Sequence, residues 1–136
     1  MSKSTGALTR TWMLAGAAAV ALGCSSSSTG PSNGGGGPVG TVAVGNIYFQ
    51  SGHNGTRNPA QDTVAVGQAV TWTWTGATSH SVRSLGTPSF PSSAVLTGAG
   101  QAYSVTFDAP GSYDYDCSIH ASQMTGKVVV LQVGLR

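Results

Sequence analysis

The sequence predicts an all-β domain, a β-sandwich of about seven to eight strands. Charged residues make up only 7% of the 136 residues, whereas Gly (20 copies), Ser, Thr and Val are abundant. Short runs in which apolar and polar residues alternate are separated by turns containing Gly, Pro or Asn, a pattern typical of strands. A chain of this length holds one domain with appended segments.

Three strands are predicted in the first half of the domain. Thr41–Gln50 is predicted as one strand. Asp62–Val66 and Ala69–Thr75 flank Gly67-Gln68 and are predicted to pair with each other as a hairpin or strand pair. In the third run, three apolar side chains alternate with threonines and are expected to pack one sheet on the other: Val70, Trp72 and Trp74.

The second half begins with a long stretch that lacks a clear period. Leu85–Gly100 is rich in Pro, Ser and Gly and is predicted as a surface loop anchored by Phe90 and Leu96. A strand with alternating apolar residues follows at 103–107. The closing strand is predicted at Lys127–Val133, and its Val-rich run indicates burial on both faces.

The strand that leads to Cys117 has two distinct faces. Tyr113, Tyr115 and Cys117 share one face, and Asp114 and Asp116 share the other, because side chains alternate along a strand. Cys117 is therefore expected to point inward at the end of a strand whose outer face is acidic.

Residues 1–23 are predicted to be a signal peptide of the lipoprotein type. Lys3 and Arg10 precede an apolar run that is too short for a membrane span and ends in small residues. Ala21-Leu22-Gly23-Cys24 resembles a bacterial lipobox, which implies lipid attachment at Cys24 and a periplasm-facing membrane anchor. Because Ser25 rather than Asp follows, the outer membrane is favoured. Ordinary cleavage near Gly23, followed by secretion, is the alternative.

Residues 24–40 form a Ser/Gly-rich segment predicted to be a flexible linker with a mean reach of roughly 20–25 Å. Two of the six Lys and Arg residues lie in the leader, so the remaining four balance the four acidic residues. The folding part is formally neutral, and nothing in it points to a nucleic-acid partner.

A Cys-x2-His-x3-Met motif lies between two predicted strands, at Cys117, His120 and Met124. A thiolate, an imidazole and a thioether are soft donors, which suit copper better than zinc, magnesium or calcium. A second imidazole would complete the two-His, one-Cys, weak-axial-Met site of electron-transfer copper proteins. His80, beside an upstream strand, is positioned to supply it.

Each of these residues also has a plainer interpretation. His53 is predicted to be a solvated turn histidine. Met124 could fill a gap at the top of the core. Cys117 could be an inert buried thiol or could form a disulfide with Cys24. The first of these leaves His120 unexplained, and the second ties the core to a flexible leader, so the motif favours metal binding.

The motif resembles the ligand pattern of the cupredoxins, most closely the plastocyanin branch, over roughly residues 39–133. The Tyr-x-Tyr-x-Cys lead-in and the Thr-Gly-Lys-Val-Val-Val exit strengthen the resemblance. It implies a Greek-key sandwich that holds one copper ion, which cycles between Cu(I) and Cu(II). The implied ligands are His80, Cys117, His120 and Met124.

The resemblance also implies roles for residues around the metal. The backbone N–H of Ser81 is expected to donate to the Cys117 sulfur. Ile119 stands where many plastocyanins have Pro, so its N–H is a candidate second donor that would favour the reduced state. Asp116 stands where many plastocyanins carry a surface tyrosine.

The function implied is that of a monomeric single-electron carrier that exchanges electrons with redox partner proteins and catalyses nothing itself. A multicopper oxidase needs more histidines than the three in this chain. A cysteine hydrolase needs an accessible Cys–His pair with an orienting Asn or Asp. Two alternatives stay open: a copper carrier or sequestering protein with the same ligands, and a cupredoxin-like module that has lost its metal.

Overall fold

The computed structural model describes residues 39–134. Within these residues all of the regular secondary structure consists of β-strands. The predicted signal peptide, Cys24 and most of the linker lie outside these residues. No helix in the described part of the chain is long and apolar enough to cross a membrane. The strands are β1 Thr41–Gly45, β2 Tyr48–Ser51, β3 Ala60–Ala65, β4 Ala69–Trp74, β5 Ser79–His80, β6 Arg83–Leu85, β7 Leu96–Thr97, β8 Ala102–Thr106, β9 Gly111–Cys117 and β10 Ala121–Leu131.

Two four-stranded sheets form the sandwich. One has the order β2-β1-β4-β8 and the other the order β3-β10-β9-β6, while β5 and β7 form a separate short pair. Neighbouring strands are antiparallel except for β1 with β4 and β3 with β10, which are parallel. The prediction of an all-β sandwich is confirmed.

Aromatic side chains fill the space between the sheets. Trp72 stacks on Phe90 with ring centroids 5.8 Å apart and meets Tyr115 edge-on at 5.3 Å. Trp72 and Trp74 are both buried, as their alternation with threonines predicted. The core therefore rests on large rings contributed by both layers.

The predicted strand Thr41–Gln50 is in fact a hairpin of two strands. Val44 lies opposite Phe49 and Gly45 opposite Tyr48, so Asn46 and Ile47 form a two-residue turn. Ile47 adopts a φ of 56°, in the left-handed region. A β-branched residue is uncommon in this conformation, which is why the sequence did not indicate a turn here.

The prediction that Asp62–Val66 and Ala69–Thr75 pair with each other is wrong. β3 pairs with β10 in one sheet, and β4 lies between β1 and β8 in the other. The turn at Gly67-Gln68 carries the chain across the sandwich and is closed by the Gln68 side chain, which accepts a hydrogen bond of 2.7 Å from the Ala65 N–H. The two strands lie in opposite layers, and each buries one face in the shared core. The strands of a hairpin would show the same alternation of apolar and polar residues.

The closing strand is longer than predicted and has a different burial pattern. β10 begins at Ala121, and its inward residues Val128 and Val130 are buried while Val129 between them is only half-buried. Burial on both faces is therefore not observed. The loop prediction for residues 85–100 holds for the buried anchor Phe90, but Leu96 belongs to β7 and pairs with His80.

Candidate metal centre

Four predicted ligands come from three parts of the fold at one end of the sandwich. His80 ends the short strand β5 and is held there by its pairing with Leu96 of β7. Cys117 is the last residue of β9, His120 lies in the turn that follows, and Met124 lies within β10. Rigid strands thus supply three of the four side chains.

Three of these side chains converge. One donor atom from each of His80, Cys117 and His120 lies within 4.8 Å of the other two. The Cys117 Sγ is 3.8 Å from the His80 Nδ1 and 3.5 Å from the His120 Nδ1. These separations suit donors that share one ion at bond lengths of about 2.0–2.3 Å, as found for imidazole and thiolate ligands.

The far side of the His80 ring has a hydrogen-bond partner. Its Nε2 lies 2.8 Å from the Thr78 Oγ1. If the Nε2 carries the proton and donates to Thr78, the Nδ1 that faces Cys117 keeps its lone pair for a metal. Sequence reasoning missed Thr78. Its position two residues before a candidate ligand was a signal, but the contact also depends on the β5–β7 pairing, which the sequence did not indicate.

The environment also favours the neutral form of His80, which ligation requires. The side chain is almost completely buried. Burial, and secondarily the nearby His120, lower the pKa of His80 below its ordinary value of 6.5. Cys117 carries a free, buried thiol, so the alternative of a disulfide at this position is not observed.

Met124 is brought inward by an irregularity in the β9–β10 ladder. Ala121 lies opposite Cys117, but the next pair is Thr125 with Asp116, so residues 122–124 form a bulge. Ala121 has a φ of 46°, and the turn is closed by the Gln123 N–H, which donates to the His120 carbonyl at 3.1 Å. Met124 is fully buried as a result.

The two predicted outer residues differ in their surroundings. Ser81 is buried, and its hydroxyl accepts a hydrogen bond of 3.0 Å from the Ser118 N–H while lying 2.7 Å from the Ser118 hydroxyl. Sequence reasoning did not anticipate Ser118, which directly follows Cys117. Ile119 exposes half of its side chain. The donation of backbone N–H groups from Ser81 and Ile119 to the sulfur stays a prediction.

The outer face of β9 carries less unpaired negative charge than the alternation of residues indicated. Asp116 is buried and receives two hydrogen bonds, of 2.8 and 2.7 Å, from the Arg83 guanidinium. Asp114 is exposed and lies 3.2 Å from the Lys127 ammonium. Both carboxylates therefore have a cationic partner on the same sheet.

Comparison with known proteins agrees with this geometry. Residues 56–131, more than half of the chain, match the family model described as copper binding proteins, plastocyanin/azurin family. The chain belongs to this family. Amicyanin-alpha of Methylorubrum extorquens is 44% identical to this cupredoxin over 69 residues, which cover 49% of this chain and 57% of the relative. The matched region thus spans little more than half of that relative.

Solved cupredoxin structures share the fold. A structure of an oxidised amicyanin variant has a TM-score of 0.55 and 28% identity, covering 85% of this chain and 89% of its own. The purple cupredoxin from Nitrosopumilus maritimus has a TM-score of 0.54 and 25% identity, covering 67% of this chain and 98% of its own. The predicted family is confirmed.

The chemistry of the converging side chains fits the family's metal. Two imidazoles and a thiolate gathered around one point, with a buried thioether in the following strand, form a soft donor set. One copper ion is therefore the cofactor that the family and the donor set support, as the sequence predicted.

Proposed function

We propose that this cupredoxin is a type 1 copper protein that carries single electrons in the cell envelope. Its proposed ligands are His80, Cys117, His120 and Met124. The observation that carries the proposal is the convergence of three donor atoms within 4.8 Å at the end of a rigid sandwich. Bound copper would supply a one-electron couple between Cu(II) and Cu(I), and amicyanin has been solved in oxidised and in Cu(I) forms.

The protein side chains would hold this site in one arrangement for both oxidation states. β9 and the β5–β7 pair fix the positions of Cys117 and His80 through backbone pairing. His80, Cys117 and Met124 are each at most 1% exposed, so water is excluded from three of the four ligands. A site that changes little between oxidation states favours rapid electron transfer, because little reorganisation is needed.

Burial also favours electron transfer over copper carriage. A carrier must release its ion to another protein, which is easier from exposed ligands. Here only His120 is partly exposed, and its neighbours Ala121 and Ser122 are small and exposed. The buried set is therefore suited to retaining copper while His120 offers an edge for an electron to pass.

We place the docking surface for redox partners around that edge. Ile119, next to His120, is half exposed and offers apolar contact. The alternative surface, the outer face of β9, carries Asp114 and Asp116, which both have cationic partners. Paired charges attract a partner weakly over long range, so docking should depend little on ionic strength.

Attachment to a membrane through lipidated Cys24 belongs to the same proposal. A tethered carrier stays near its partners and remains free to reorient. Mass spectrometry of the mature N-terminus in the membrane fraction tests this part. An unmodified N-terminus in the soluble fraction would mean ordinary secretion instead.

Electron self-exchange of the copper-loaded protein tests the function itself. Fast exchange that changes little with salt, together with slow transfer of copper to a chelator, is expected for an electron carrier. Ala121→Glu should slow the exchange and leave the visible spectrum unchanged, whereas the distant Asp114→Asn should not slow it. Rapid surrender of copper with negligible self-exchange would identify a copper carrier.

A further inference from the structure

An ion pair joins the two chain segments that carry His80 and Cys117. Arg83 lies opposite Asp116 in the β6–β9 ladder. Asp116 directly precedes Cys117, and Arg83 follows His80 by three residues. Because Val82 and Cys117 are fully buried, alternation places the Arg83 and Asp116 side chains on the outer face of the same sheet.

The geometry of this pair is that of a specific contact. The Arg83 Nε donates to one Asp116 oxygen at 2.8 Å and an Arg83 terminal nitrogen donates to the other at 2.7 Å. The Asp116 side chain is only 7% exposed, whereas that of Arg83 is 44% exposed. A two-pronged bond to a nearly buried carboxylate fixes both direction and distance.

Continuing the same register by two residues brings Ser81 opposite Ser118. Their hydroxyls are 2.7 Å apart, and the Ser118 N–H bonds to the Ser81 hydroxyl instead of to a backbone carbonyl. On the metal-site side of Arg83, where β6 ends, the two segments are therefore joined by side-chain hydrogen bonds and no longer by backbone pairing. The ion pair closes the last regular rung before the metal site.

The charge of Asp116 matters because of its position. A carboxylate that is nearly out of contact with water, on the residue that precedes Cys117, would oppose the arrival of an electron at the site. The Arg83 guanidinium at hydrogen-bond distance offsets that charge. Asp116 also raises the pKa of Arg83, through hydrogen bonding first and charge second, so Arg83 stays cationic.

We propose that Arg83 and Asp116 are positioning residues of the copper site. Their ion pair holds the His80 segment against the Cys117 segment, and it cancels the charge of Asp116, the residue next to Cys117. This inference rests on the proposed function, since it concerns the same copper site.

The first test is the reduction potential of the copper-loaded full chain. Asp116→Asn leaves the Arg83 cation unpaired and should raise the potential, because an unpaired positive charge near the site stabilises the reduced state. Arg83→Gln leaves the Asp116 anion unpaired and should lower it. The double variant should return close to the wild-type potential. General damage to the fold would not shift the potential in opposite directions in the two single variants and cancel in the double variant.

The second test uses metal-free protein and does not depend on redox activity. In a Cys24→Ser background Cys117 is the single thiol of the chain. Its burial means that iodoacetamide reaches it only when the site opens. Arg83→Lys keeps the charge but loses the two-pronged geometry, so labelling of Cys117 should accelerate by about tenfold or more. The potential of this variant should stay near the wild-type value.

The Asp114–Lys127 pair provides a matched control on the same sheet. Its atoms are 3.2 Å apart and its side chains are 55% and 40% exposed. Asp114→Asn and Lys127→Gln remove the same charges and should change neither the potential nor the labelling rate.

Several outcomes would overturn the proposal. Potential shifts of the same sign in both single variants, or no larger than in the control, would refute the cancelling role. Labelling of Arg83→Lys at the wild-type rate would refute the positioning role. If the wild-type chain binds no copper, the proposed function fails, and the labelling arm still decides whether the pair holds the segments together.

Discussion

The Tyr115 ring lies across the backbone of Gly126, its partner on the neighbouring strand β10. Gly126 faces the core, and a Cβ built there would fall far inside van der Waals contact with the end of that ring. The ring has little room to move, because Tyr115 is 1% exposed and meets Phe49 edge-on at a centroid distance of 5.0 Å. The glycine makes space for the Tyr115 ring, one of the two tyrosine rings of β9.

Gly126→Ala should therefore destabilise the fold. The added methyl group overpacks the core, which costs about 1–3 kcal/mol in the free energy of unfolding. Urea denaturation of the metal-free protein measures the change. Gly134→Ala is the control, because a Cβ at Gly134 would meet nothing within 4 Å. Equal stability of the two variants would mean that Tyr115 moves aside freely.

Thr78→Val should weaken copper binding. The substitution keeps the side-chain shape but removes the hydroxyl that lies 2.8 Å from the His80 Nε2. Losing a partner that orients a metal-binding histidine typically costs about 10–100-fold in metal affinity. Competition with a chelator of known copper affinity measures the loss. Thr97→Val, which removes a hydroxyl 2.7 Å from that of Ser79, should leave the affinity unchanged. Equal affinities would show that Thr78 does not orient the ring.

Met124→Leu should preserve the blue colour and raise the reduction potential. Loss of a weak thioether ligand favours Cu(I). Because Met and Leu have similar volumes, the core should lose less than about 1.5 kcal/mol. Voltammetry measures the potential, and urea denaturation of metal-free protein measures the stability. An unchanged potential would show that Met124 fills the core and does not bind the metal.

Asp62 gives the fold a pH dependence that can be isolated by mutation. Its side chain is 1% exposed. Its Oδ1 accepts a hydrogen bond of 2.8 Å from the Ser51 hydroxyl, whereas its Oδ2 has no hydrogen-bond partner within the described part of the chain. Burial raises the pKa of Asp62 above its ordinary value of 3.8, although the Ser51 bond and the charge of His53 oppose the rise. Between these two pKa values the folded protein binds a proton that the unfolded chain has released.

The contribution of Asp62 to stability should therefore fall as pH rises through that window, and the full penalty should be present above it. Asp62→Asn removes the penalty while retaining an acceptor for Ser51. The free energy of unfolding of the variant, relative to wild type, should increase from acidic to neutral pH in urea titrations. A pH-independent difference for Asp62→Asn would contradict this account.

The sequence was most informative where a residue's own spacing decides its environment. Alternation placed Tyr113, Tyr115 and Cys117 inward, and all three are buried. The Cys-x2-His spacing brought His120 beside the Cys117 sulfur through one tight turn, since the His120 N–H donates to the Cys117 carbonyl at 3.2 Å. Local rules of this kind need no knowledge of the partner strand.

Features that depend on register between distant segments were not predictable in the same way. The bond between Arg83 and Asp116 requires β6 to lie beside β9 in one particular register. The contact of Thr78 with His80 depends on β5, which exists because Leu96, from a stretch without a clear period, pairs with His80. The crossing at Gly67-Gln68 was missed because alternation does not say which sheet a strand joins.

The visible absorption spectrum after addition of Cu(II) tests the central claim most directly. With a thiolate and two imidazoles around one ion, the wild-type chain should bind one equivalent and show an intense blue band from charge transfer between Cys117 and Cu(II). Cys117→Ser should lose the band and stay folded, whereas His53→Asn, outside the converging set, should keep it. A wild-type chain that stays colourless, or a Cys117→Ser variant that turns blue, would contradict the assignment of this site.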